Sequence, residues 1–188
     1  RLQANQLNTI NSIEWKKPCK NNRGQPFPNY GLVFEAVNHS ECSVKSIEEI
    51  DRIEQIIDAL IGSSYKHAQG DGESFGEITA NNILVTAPYN VQVNQLEKRL
   101  AGKAKVGTVD RFQGQEAVVA IHSLTASSGD DAPRGIDFLL EPNRLNVAIS
   151  RAQCLSIVVG SPSLATGLIN TVDEAERVNR LCRLMQIY

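Results

Sequence analysis

Three short stretches of this sequence carry residue types that can do chemistry. The first is VGTVDRFQGQE, Val106 to Glu116, an apolar run that enters a polar turn. The turn holds a hydroxyl (Thr108), two carboxylates (Asp110, Glu116), two amides (Gln113, Gln115) and a glycine (Gly114). Such a turn can bind a sugar-phosphate ligand; it can equally be a solvated turn in which Gly114 supplies a backbone angle that other residues resist. The second is NRLNVAISRAQ, Asn143 to Gln153. On a helix the seven-residue spacing of Arg144 and Arg151 puts them on nearly the same face, about 10 Å apart along the axis. Leu145, Ala148, Ile149 and Ala152 then form an opposite, buried stripe. Guanidinium groups stay charged and offer forked donors to phosphate oxygens, so the pair suits a polyanion; surface ion pairing is the plain alternative. The third is APYNVQ, residues 87–92. Tyr89, at a strand end beside a helix start, can stack on a base while the Gln92 amide makes hydrogen bonds, or the pair can simply pack.

Other chemistries find no support. A phosphate cradle needs spaced glycines followed by Lys and then Ser or Thr. Gly102-Lys103 is the one candidate, but Ala104 follows it and Glu97 stands where the first glycine belongs, so the chain alone is not expected to hydrolyse ATP. The spacing of His39, His67 and His122 does not suit a metal, and each is read as structural or surface. Cys19, Cys42, Cys154 and Cys182 lie far apart and are read as reduced thiols of a cytoplasmic protein. No secretory leader precedes them, so the Asn38-His39-Ser40 glycosylation triplet is taken as a chance match. No apolar run reaches the roughly 18 residues of a membrane span, so no membrane partner is expected. A net charge of −2, from 19 basic and 21 acidic residues, rules out the strong positive field of a dedicated nucleic-acid binder; any such contact must be local.

The elements that must hold these stretches alternate. Residues 1–30 are polar, proline-bearing and begin without a methionine, and are expected to be an irregular segment from a domain boundary. Residues 31–188 are expected to be one domain, a length that can bury a sizeable core. GLVFEAVNH, from Gly31, reads as a buried strand; Ser46 and Glu49 read as a capping box opening a helix that carries Ile47, Ile50, Ile53, Ile57 and Leu60 and stops at Gly62. Residues 62–82, with four glycines, are expected to be a mobile surface loop. ILVTAP is a second strand, followed by a helix capped by Asn90 with Val93, Leu96 and Leu100 inward. AKVGTVD and VVAIHSL are the third and fourth strands. After a loop from Ala126 to Asp137, Pro142 begins a helix, LSIVVG is the fifth strand, and Thr171 with Glu174 caps a last helix. Nearly all-apolar strands separated by helices call for a parallel sheet covered on both faces, an α/β fold. In such sheets ligands gather beyond the carboxyl ends of the strands, which directs attention to Pro88–Gln92, Asp110–Glu116 and Asn143–Arg151.

Taken together and in this order, APYNVQV, TVDRFQGQE and RLNVAISRA resemble motifs IV, V and VI of superfamily 1 helicases. The resemblance is to the branch that holds the nonsense-mediated-decay helicase and the nuclease-helicases of DNA replication, and it covers residues 31–165. The opening Arg1-Leu2 is similar to the end of the segment after motif III. The resemblance implies the second RecA-like motor domain, without a P-loop of its own, working against an N-terminal RecA-like domain of the same protein that binds ATP and most of the Mg²⁺ shell. It implies that Arg151 is an arginine finger, a device worth roughly 10³ to 10⁵ in rate. It implies further that Gly114 and Glu116 lie near the γ-phosphate and ribose, with Gln113 and Arg144 also nucleotide-facing, that Tyr89 and Gln92 lie near the base, and that Thr108 touches the backbone of single-stranded DNA or RNA. Val93 stands where some relatives carry an arginine, and SLTASS lacks another. The rival expectation is a non-catalytic binding or assembly module of the same shape.

Overall fold

In the computed structural model, which describes residues 11–69, 72–167 and 171–186, the apolar runs do become strands. In chain order these are β1 (Ser12–Glu14), β2 (Gly31–Ala36), α1 (Ile47–Leu60), β3 (Ser64–Gln69), β4 (Gly72–Glu77), β5 (Ile83–Thr86), α2 (Asn90–Leu100), β6 (Lys105–Gly107), β7 (Ala117–Ser123), α3 (Gly135–Leu139), α4 (Pro142–Ile149), β8 (Ala152–Gly160) and α5 (Val172–Met185). Strands β2, β8, β7, β5 and β6 lie side by side in that order as one parallel sheet. β7 is buried along its whole length, as a central strand covered on both faces must be.

Strand alternation sorts the core into two layers. On one face Ile50, Ile53 and Ile57 of α1 and Val93, Leu96 and Leu100 of α2 pack on Val33, Val85, Ile121 and Ile157. On the other, Leu139 of α3 and Leu181 and Leu184 of α5 pack on Phe34 and Val158. The terminal helix has the full reciprocal cap expected of it, with Thr171 and Glu174 each bonding the other's backbone N–H.

Several expectations need correction. Residues 62–82 are not a loop: Ser64–Gln69 pairs antiparallel with Gly72–Glu77, and β1 adds a third strand to this small sheet. Its glycines mislead because one of them makes room for a neighbour: a Cβ on Gly76 would stand 2.8 Å from the Tyr65 hydroxyl. Within the stretch before residue 31, residues 11–30 are built into the fold. Ile13 and Phe27 are buried there, Trp15 packs against Phe27, and Lys20 bridges Pro26. Arg1 and Leu2 lie outside the described residues. Ile47, placed by its spacing on the buried face of α1, is exposed at the helix's first position, and Ile56 is buried in addition. Asn90 is the first residue of α2 rather than its cap; Tyr89 holds that position without a side-chain bond. The strand expected over AKVGTVD is three residues long and gives way to a 3₁₀ turn at Val109–Phe112. The loop after β7 contains α3.

Candidate functional site

The site grows from the way two neighbouring strands begin. Ala117 starts β7 and Ala152 starts β8, and the two are register partners. The Ala117 N–H donates to the carbonyl of Arg151 at 2.9 Å. The residues just ahead of the strands, Glu116 and Arg151, are therefore neighbours by construction. They sit at the amino ends of the strands, which corrects the expectation of a carboxyl-end site. The reason is the return path: a connection between parallel strands must travel back along the sheet. Segment 108–116 and helix α4 both make that journey, and only Pro88–Gln92 stays at the carboxyl end.

Arg151 is also not on the same helical face as Arg144. Helix α4 ends at Ile149, and Arg151 belongs to the turn into β8. Of the stripe assigned to the helix, Ala148 is buried, Leu145 and Ile149 are half-buried, and Ala152 is already strand. Arg151 is held from two sides: its Nε donates to the Val147 carbonyl at 3.1 Å and its Nη1 to the Gln115 carbonyl at 3.4 Å. A guanidinium has five N–H groups, so three point elsewhere, and among the described residues no carboxylate pairs with it.

The bend facing this guanidinium is built for display. Phe112 is buried against Leu84 and Ala117, anchoring the turn, while Gln113, Gly114, Gln115 and Glu116 are all exposed. Gly114 has φ +80° with open space where a Cβ would be, so glycine is needed there for backbone handedness and not for room. Glu116 has one long contact, 3.4 Å from Gln153 Nε2.

The remaining candidates are spread along the same flank or lie elsewhere. Arg144 lies 3.8 Å from Asp110 and 4.7 Å from the Phe138 ring centre, which ties α4 to the 3₁₀ turn. Thr108 is half-buried at the carboxyl end of β6. Tyr89 is buried under Phe138, ring centres 5.7 Å apart, so its ring has no open face for a base. Its hydroxyl lies beside the Arg134 backbone without a well-formed hydrogen bond, and burial pushes its pKa up.

Gln92 departs furthest from expectation. It is fully buried, with Oε1 accepting from the Ser46 N–H and Nε2 donating to the Ser46 carbonyl and to Ser123 Oγ. Both amide protons are occupied, so none is left for a ligand. Gln92 belongs to a network centred on Glu49, which the sequence offered only as a capping partner of Ser46. Half of that box exists: Ser46 Oγ accepts from the Glu49 N–H. The Glu49 carboxyl turns away, accepting from the Thr125 N–H at 3.0 Å on both oxygens, from Ser123 Oγ at 2.5 Å, and meeting His39 Nε2 at 3.0 Å. Ser127 Oγ completes the line at 2.7 Å from His39 Nδ1, but Ser127 is buried and also accepts from the Cys42 N–H, so it is not a nucleophile awaiting substrate. Neither spacing nor composition announced Ser123, Thr125 or His39, because their partners come from elsewhere in the chain: Glu49 of α1, Gln92 of α2 and Ser127 of the loop after β7. Arg134 was hidden in what read as a loop, and Phe138 follows directly after it.

Comparison with known proteins gives this geometry a setting. A family model described as an AAA domain matches residues 3–163. The putative helicase mov-10-B.1 of Danio rerio is 31% identical over 175 residues, 85% of this chain and 16% of that protein. The probable RNA helicase armi of Drosophila melanogaster is 37% identical over 95 residues, 46% of this chain and 8% of that protein. The DNA polymerase alpha-associated DNA helicase A of Saccharomyces cerevisiae is 39% identical over 89 residues, 45% of this chain and 13% of that protein. The chain thus spans a small part of the length of the curated relatives it matches.

Proposed function

The chain belongs to the superfamily 1 helicases, as a C-terminal RecA-like domain, and on that premise we propose that it completes the ATP site of an ATP-dependent DNA or RNA helicase. The observation that carries the proposal is the Arg151 guanidinium, fixed by two backbone carbonyls beside an exposed, glycine-hinged bend and left with three unengaged N–H groups. Residues of this kind fit a triphosphate: a permanently charged fork, half-sheltered from water, with no carboxylate competing for it.

Bound ATP supplies the phosphoryl bond to be broken. What this chain contributes is positioning and charge. Val147 and Gln115 hold the Arg151 side chain in one direction, so its charge reaches the developing negative charge at the γ-phosphoryl without reorganisation. Gly114 turns the exposed bend, and in this reading the Gln113 amide and the Glu116 carboxylate meet the nucleotide there, the carboxylate accepting from ribose hydroxyls. Arg144 adds a second positive charge further along the flank. Lys and the Mg²⁺ ligands are assigned to an N-terminal RecA-like domain of the same protein. Gln92 is given no nucleotide contact in this reading, and Tyr89 acts from below, through Phe138. Thr108, at the other end of the motif V segment, is placed on the sugar-phosphate backbone of a single strand, a contact that holds without reading sequence. Closure of the two domains on ATP and their reopening would then move the strand.

The test is Arg151→Ala in the full-length protein. We expect nucleic-acid-stimulated kcat for ATP to fall by roughly 10³ or more, with the fold and nucleic-acid affinity retained. Near-normal turnover would remove the arginine finger and favour a binding module that keeps the helicase shape.

A further inference from the structure

The small sheet of β1, β3 and β4 holds none of the motif residues, and its two faces differ. Directly opposed residues of antiparallel strands point to the same side. Ile13, Tyr65 and Gly76 therefore share one face, and Ser12, Lys66 and Phe75 share the other. The first face is turned into the molecule: Ile13 is buried, Tyr65 packs on the core, and the Tyr65 ring fills the space a Gly76 side chain would need. On the outward face Phe75 is 68% exposed, the most exposed aromatic ring among the described residues. Glu73 and Glu77 stand two residues to either side of it on that face, and Glu14 lies across from Glu77 through Ser64. All three carboxylates are exposed, and among the described residues no cation pairs with them. Lys66, half-buried, is the one cation those strands place on this side. Strand β4 is also an edge: among the described residues it pairs with β3 alone, which leaves alternate N–H and C=O groups along its outer side without a strand partner.

We propose that the outer edge of β4 takes an extended, basic segment of a partner protein as an added strand. Main-chain hydrogen bonds to the open edge hold such a segment, and its alternate side chains, which share one face, set its specificity. Lys or Arg meets Glu73 and Glu77, and the residue between them lays an aliphatic or guanidinium side chain on the Phe75 ring. The pattern recognised is basic, any, apolar, any, basic. Charge selects this occupant over two others. A nucleic-acid strand would bring phosphates up to Glu14, Glu73 and Glu77, like charge against like. A second copy of this chain, pairing antiparallel about Phe75, would set Glu73 against Glu77 twice over, which destabilises the pairing. A basic segment turns each of these repulsions into an attraction. The surface stands apart from the ATP-site reading and does not depend on it.

The experiment adds a synthetic peptide, Thr-Lys-Thr-Leu-Thr-Lys-Thr, to the full-length protein and follows amide hydrogen exchange and peptide affinity. Exchange should slow at the amides of β4 and not elsewhere in the domain. Phe75→Ala should weaken the peptide roughly fivefold or more, and Phe75→Tyr, which keeps the ring, should not. Glu73→Lys with Glu77→Lys should weaken it roughly tenfold or more and transfer binding to the same peptide with Glu in place of Lys. These side chains are exposed and unpartnered, so ATP turnover should stay at the wild-type level and reports that the variants are folded. Absence of protection at β4 overturns the proposal. Equal affinity for wild type and Phe75→Ala would mean that charge alone attracts the peptide, and overturns it as well. Displacement of the peptide by a single-stranded oligonucleotide would assign the face to nucleic acid. Protection of β4 that rises with protein concentration in the absence of peptide would assign it to a second copy; either result ends the claim.

Discussion

Strand β7 runs between two polar clusters, and they are built in opposite ways. At its carboxyl end the Glu49 carboxyl meets Thr125, Ser123 and His39, and Gln92 has both its amide protons engaged by Ser46 and Ser123. Every strong group there is consumed by the protein itself. At its amino end Arg151 uses two backbone carbonyls and keeps the rest of its donors, beside four consecutive exposed residues. The first cluster also holds strain, since Thr125, β-branched and fully buried, sits at φ +73°. Such a conformation persists when the surroundings over-determine it, and the two Glu49 oxygens on the Thr125 N–H do so. Motif residues occur in both places, so family pattern alone does not separate architecture from chemistry. Satisfaction of donors does.

The comparison breaks most readily at Glu49. Truncation to alanine leaves Thr125 N–H, Ser123 Oγ and His39 without their acceptor in a site closed to water. The expected cost is roughly 3–5 kcal/mol, read as a lower denaturant midpoint. Arg151→Ala should move that midpoint by less than about 1 kcal/mol, because it removes two hydrogen bonds at a half-exposed position. If the two variants destabilise equally, the clusters do not differ in kind.

How far the sequence foretold this division depends on whether a residue's partners are near it in the chain. The five parallel strands, the helices between them and the caps at Ser46 and Thr171 were legible because period and capping are local properties. The bend at Gly114 and the nearness of Arg151 to it followed from the motifs. The burial of Gln92 did not, since its partners Ser46 and Ser123 lie 46 and 31 residues away. The hairpin over residues 64–77 was missed because its pairing needs glycine at a close approach, a signal that reads as loop. The end of α4 at Ile149 was missed because β8 takes over helical-looking residues to pair with β7.

Beside the carboxyl-end cluster, one residue before Ser123 on β7, His122 sharpens the contrast by acid titration. It is buried on β7, its Nδ1 2.8 Å from Thr86 Oγ1, and burial lowers its pKa from 6.5 to about 4. A lowered folded-state value means that the unfolded chain takes up the proton first. Stability is therefore complete above pH 6.5 and declines as pH falls from 6.5 to about 4. The loss amounts to about 3 kcal/mol across that window. His122→Asn should flatten the slope there, measured as denaturant midpoint against pH; an unchanged slope would mean that burial of His122 is not the source of the acid sensitivity.

An effect smaller than those at Glu49 and His122 is expected at Gly114, and it tests whether the amino-end cluster is open in the sense argued. A Cβ at Gly114 meets nothing within 4 Å, whereas one at Gly160 would stand 2.7 Å from Leu124 Cδ1. Gly114→Ala thus bears only the cost of a left-handed backbone, about 1–2 kcal/mol, and Gly160→Ala adds a steric clash in the core. The alanine at 114 should relieve its strain by flattening the bend, which pulls the Gln115 carbonyl from Arg151 and frees the guanidinium from one of its two tethers. Activity should then fall further than the midpoint does, with kcat reduced and the Gly160→Ala protein showing the reverse proportion. A bend that tolerates alanine without loss of turnover would mean that Val147 alone aims Arg151, and that the exposed loop beside it is display without purpose.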